Sequence, residues 1–240
     1  MTNEHLGAPA PISPTPASDD AAARAVRVQL LTTEHWSLLA TRNLSWNESF
    51  ARAGMFLTLL TGAVVALALV AQATAFGSGF MTFALLLLPV VFFVGSSTFV
   101  RLNEINGEDI VWVQGMNRLR RAYLEIDPEI EPYLVAGSTE DVIGVLRTYG
   151  APAGGGSAAP SIRQNVMHAL VTLPAMILIV NCVVAAVLAG LVTAQLGAST
   201  ELSAIIAVGA FVLTFAAFAA HGARKALAFW SAPAKPPNGD

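Results

Sequence analysis

From Arg101 to Glu125 the chain reads "RLNEINGEDIVWVQGMNRLRRAYLE", directly after an apolar run of membrane length. Leu102, Ile105, Trp112, Met116, Leu119 and Tyr123 step along it by three, four or seven residues, and Asp109 falls on the same line. That spacing predicts a helix that buries one face. Arg118, Arg120, Arg121, Glu104 and Glu108 fall largely off the stripe. The simplest reading extends the preceding apolar helix to about Asp127, where Pro128 stops it. Asn106–Gly107 is a turn signal that would split such a helix. Two further cytoplasmic helices, one leading into the first span and one at Thr139–Tyr149, could meet that stripe; without a partner inside the chain it is an expected oligomer contact.

Four runs lack Asp, Glu, Lys and Arg altogether: Gly54–Ala75, Gly79–Val100, Val166–Val192 and Leu202–Ala223. A hydrocarbon core of about 30 Å needs roughly 20 such residues at about 1.5 Å each. "FGSG" joins the first pair and "TAQLGASTE" the second, so each pair reads as a helical hairpin. The expected fold is all-α: a polytopic membrane protein with four transmembrane helices in two hairpins and cytoplasmic amphipathic helices.

Between the spans the pattern changes. Residues 1–17 read as a Pro-, Ala- and Ser-rich disordered tail with no secretory signal, and 18–53 as an amphipathic, interfacial helix. Ser18 is its expected N-cap, and Trp36, Leu39, Trp46 and Phe50 share a face suited to the headgroup level. The first hairpin occupies 54–100 and a cytoplasmic helical region 101–150. Within that region Thr139–Tyr149 is a helix with Ser138 as its expected N-cap and Val142, Val145, Leu146 and Tyr149 as its apolar face. A Gly/Ala/Pro linker at 151–162, the second hairpin at 163–223 and a tail at 224–240 complete the chain.

Composition supports the membrane reading. The 240 residues are 55% hydrophobic and 12% charged, about half the usual charged share of a soluble domain. All 13 Lys and Arg residues precede the first span, lie between the hairpins or follow the last span, and neither tip carries one. The positive-inside rule then puts both termini and residues 101–163 in the cytoplasm of a plasma (bacterial inner) membrane. The "NLS" and "NES" sequons at Asn43 and Asn47 fall on that side and are not expected to be glycosylated. A net charge of −3 gives no reason to expect nucleic acid.

Candidate chemistry is sparse. No phosphate loop, nucleophile elbow or multi-ligand metal motif is present, so no catalytic residue, cofactor or metal is expected. Cys182, the one cysteine, sits in an apolar run. Asn181, Thr61 and Thr214 are polar groups inside spans, and Asn181 must face another helix, either as pore lining or as an interface lock. His168 and His221 lie at neighbouring ends of the second hairpin and form a candidate pair. Glu125, Asp127, Glu129 and Glu131 form an acidic turn, a candidate mouth or docking point. Gly62 with Ala66, Ala185 with Ala189 and Ala186 with Gly190 have small-residue spacing for close helix contact. No charged residue lies within a span, which argues against a coupled transporter. The expected function is therefore a homo-oligomeric, channel-like protein with a weakly cation-favouring pore. The alternative is a non-conducting scaffold or signalling protein that recruits a cytoplasmic partner through residues 101–150.

Overall fold

The computed structural model describes residues 16–150 and 172–231. Every regular element among them is helical. The helices are α1 (Pro16–Thr74), α2 (Ser78–Ile126), a 3-10 helix at Pro128–Tyr133, α3 (Val142–Thr148), α4 (Leu173–Gln195) and α5 (Thr200–Ser231). Stretches of α1, α2, α4 and α5 are long and apolar enough to cross a membrane. The expected linker at 151–162, His168 and the first residues of the third span lie outside the described residues.

Several boundaries differ from expectation. The expected helix at 18–53 and the first span are one element, α1. It starts at Pro16, so Ser18 lies in its first turn and is not an N-cap; proline suits that turn because its missing N–H has no partner there anyway. α2 passes through Asn106–Gly107 unbroken, since the flanking Ile105 and Asp109 are buried and packing outweighs the local turn preference. It ends at Ile126, as Pro128 demands, and the Asp127 side chain accepts from the Glu129 N–H at 3.1 Å to open the 3-10 helix. The N-cap of α3 is Asp141, not Ser138: its carboxylate accepts from the Gly144 N–H at 2.9 Å and from the Thr139 hydroxyl at 2.6 Å.

Among the described residues the chain forms two compact units. The first comprises 16–40 and 114–150, the second 41–113 and 172–231.

In the second unit, Phe56 of α1, Val91, Phe99 and Leu102 of α2, and Ile177, Leu178 and Cys182 of α4 share one buried core. α4 and α5 pack side by side along their length. Phe218 of α5 meets Phe99 of α2 edge-on, with ring centroids 5.2 Å apart. Outside this core the apolar surface is extensive: Met55, Leu69, Phe93, Val208 and Leu213 are all exposed. Only 6% of the most apolar stretch of α5 is buried. A surface this apolar is not stable in water, and lipid is the solvent it fits.

The tip joining α1 to α2 is tight and strained. Ala75 (φ 47°) and Phe76 (φ 58°) both take the left-handed region without being glycine, at a cost of about 1–2 kcal/mol each. The Phe76 N–H bonds Ala71 O at 3.2 Å, and its ring packs on Phe80 at 5.3 Å. At the other tip Gly197 takes φ 82° without strain.

Candidate functional site

The stripe on α2 is covered within the chain. Leu102 and Ile105 are buried in the second unit, Met116 and Leu119 in the first. Tyr123 stacks on His35 of α1 at 5.8 Å and donates to Leu31 O at 3.1 Å. Leu38 of α1 lies so near Gly115 that an added Cβ would sit 3.1 Å from its Cδ1. Most of the apolar surface of this stripe, expected as an oligomer contact, is already used inside one subunit. Asp109 belongs on the line because Arg42 of α1 grips it through two hydrogen bonds, at 2.7 and 3.2 Å. That pair is mostly buried, a setting where removing either partner is costly. The Trp112 indole N–H is buried without a hydrogen-bond partner among the described residues.

A charged collar surrounds Arg101 in the second unit. Its guanidinium donates to Glu48 of α1 through Nε (3.0 Å) and Nη2 (3.3 Å), and to Glu108 through Nη1 (2.8 Å). Arg52 donates to the same Glu48 at 2.7 Å. Hydrogen bonds first from Arg101 and then from Arg52 hold the Glu48 carboxyl down to about 2. Lys225 of α5 reaches Glu104 at 3.3 Å. The collar thus ties α1, α2 and α5 together with alternating charges.

Asn181 is fully buried and faces another helix, as a polar group inside a span must. With its amide turned to suit its neighbours, the nitrogen donates to Phe92 O at 3.2 Å and the oxygen accepts from the Ser96 N–H (3.3 Å) and hydroxyl (3.0 Å). It therefore bridges both ends of one rung of the α2 backbone ladder. Gly95 makes room for it: a Cβ there would lie 2.2 Å from the Asn181 amide group and 2.8 Å from the Phe56 ring. The other polar candidates among the described residues do not join Asn181. Thr61 is exposed with its hydroxyl returned to Leu57 O at 2.8 Å, Thr214 is half-buried on α5, and His221 is exposed.

Sequence reasoning missed a second fully buried asparagine, Asn117, in the first unit. Its amide donates to Thr139 O at 2.7 Å and accepts from Arg120 Nη1 (2.7 Å) and the Thr148 hydroxyl (2.8 Å). The backbone beside it is packed to contact, since a Cβ on Gly144 would lie 2.1 Å from Thr139 O. Arg118 and Arg121 clamp Glu140 at 3.1 and 2.8 Å, and the Arg118 hydrogen bond, followed by its charge, lowers the pKa of that carboxyl. A polar residue inside the "VQGMNRL" stretch was the available signal.

This framework holds out an apolar surface. Val145 anchors α3 in the interior, while Val142, Ile143, Leu146 and Tyr149 are exposed. Nearby in sequence, Tyr133 is exposed and Val135 is 100% exposed. In the acidic turn, Glu125 pairs with Arg27 at 3.5 Å, Asp127 is used as a cap, and Glu129 and Glu131 are exposed. No group of three or more metal-ligating side chains occurs among the described residues. Compared with known proteins, the chain matches no family model, no curated protein and no solved structure.

Proposed function

We propose that this chain is a non-conducting membrane protein that recruits a cytoplasmic partner through its first unit. In this reading α1 with α2, and α4 with α5, form two transmembrane hairpins. Both termini and the region around 101–163 face the cytoplasm. The placement of every Lys and Arg away from the two tips supports that orientation. The observation that carries the function is α3: of its apolar side chains only Val145 is buried, while Val142, Ile143 and Leu146, with Tyr149 at its end, face outward. A hydrogen-bonded framework around Asn117 holds that surface ready, which lowers the entropy cost of binding.

An oligomeric pore is the second reading. Gly54, Thr58, Thr61 and Gly62 on the exposed side of α1 favour it, because small residues there allow a neighbouring helix to approach. Among the described residues the polar candidates of one chain do not converge, so a pore requires several copies. Purified protein in dye-loaded liposomes separates the two. Ion flux no greater than that of empty vesicles supports recruitment, and flux altered by Thr61→Val supports the pore. A photo-crosslinking residue at Ile143 should give a discrete heterologous adduct in cells that one at Thr61 does not.

A further inference from the structure

A groove of about 320 Å³ lies on the outer side of α2, lined by Phe93, Ser96, Ser97, Val100, Arg101 and Glu104. It changes character along its length, from an exposed phenyl ring through two hydroxyls to an arginine and a carboxylate. Four residues of it lie in the expected second span, and the other two lie just past its cytoplasmic end. We infer that this groove binds a phospholipid whose headgroup carries both a phosphate and a primary ammonium, phosphatidylethanolamine. The inference rests on the transmembrane reading above.

The charges around the groove select that headgroup. Arg52, Arg101 and Lys225 face Glu48, Glu104 and Glu108, so the collar is neutral overall and does not favour an anionic lipid. Arg101 spends three of its five N–H groups on Glu48 and Glu108, and the others remain for a phosphate oxygen. Glu104 gives Oε1 to Lys225 at 3.3 Å, while its Oε2 lies 3.6 Å from Arg101, too far for a full hydrogen bond. That oxygen is positioned to accept from a lipid ammonium. Phosphatidylcholine has the same two charges, but its trimethylated nitrogen has no N–H to donate. The Ser97 hydroxyl lies at the level of the glycerol esters, and Phe93 and Val100 run beside an acyl chain.

The test uses the full chain in nanodiscs with equal amounts of phosphatidylethanolamine, phosphatidylcholine and phosphatidylglycerol, all with the same acyl chains. Lipids retained after mild detergent extraction are counted by native mass spectrometry. Wild type should retain the ethanolamine lipid about fivefold over the choline lipid, the ratio expected of one charge-assisted hydrogen bond at a half-wet site. Glu104→Gln and Ser97→Phe should each bring the ratio to about one while the melting temperature holds; the second fills the groove without touching an ion pair. Equal retention of both zwitterionic lipids by wild type overturns the proposal. So does a preference that survives both substitutions, or preferential retention of phosphatidylglycerol. Protein that floats with carbonate-washed vesicles but shows no preference refutes the groove alone. Protein that does not float refutes the transmembrane reading and the groove with it.

Discussion

Asn117 and Asn181 are the same side chain, each fully buried, one in each unit. Asn117 joins an arginine, a threonine hydroxyl and a backbone carbonyl within a region of charged and polar residues. It organises a loop whose alternative state would be hydrated. Asn181 satisfies its amide on the backbone and one serine of α2, among apolar side chains. Its alternative state, within lipid, also finds partners, so the net value of the contact is smaller. Burial alone therefore does not rank two polar groups; the solvent of the competing state does.

The largest expected effect sharpens the first half of that comparison. Gly144→Ala would drive a methyl group into Thr139 O and should destabilise the first unit by about 3 kcal/mol, read as lost amide protection in residues 114–150. Asn117→Leu keeps the volume but removes three hydrogen bonds, and should cost about 2–3 kcal/mol in denaturant unfolding. Asn181→Leu should cost only about 1 kcal/mol in detergent unfolding, because the Ser96 hydroxyl can turn to its own helix. A cost for Asn181→Leu equal to that of Asn117→Leu would break the comparison.

The smallest effects concern pH. Burial, aided by the charge of Arg120, lowers the pKa of His35 below 6.5. The unfolded chain then binds the proton more readily, so the first unit should lose stability as pH falls from about 6.5, and His35→Phe should remove that limb. Glu48, in the second unit, is held from 4.5 down to about 2, so its contribution is complete above 4.5 and fades only as pH falls through that window. Melting curves from pH 8 to 3 should show the first unit responding earlier, and Glu48→Gln should flatten only the more acid limb.

Much of this architecture is legible in the residue pattern. Four uncharged runs announce four long apolar helices, since a charge in lipid is too costly to hide. Pro128 marks the end of α2 for an equally local reason, the loss of a backbone donor. The continuity of α1 past residue 53 was less legible, because its apolar pattern changes there from one face to all round while helical propensity persists. The N-cap of α3 was misplaced by three residues. Ser138 and Asp141 are both good caps, and the close packing of Gly144 against Thr139 favours the second.

The sequence by itself determined which segments seek lipid, where the cationic side chains cluster and that α2 carries a stripe to bury. Tertiary structure alone decided what meets that stripe, Arg42 on Asp109 and His35 on Tyr123, and what meets the apolar run before it, Asn181 on Ser96. These partners are 67, 88 and 85 residues apart. A helical period states which face a residue occupies and carries no information about which distant face will cover it.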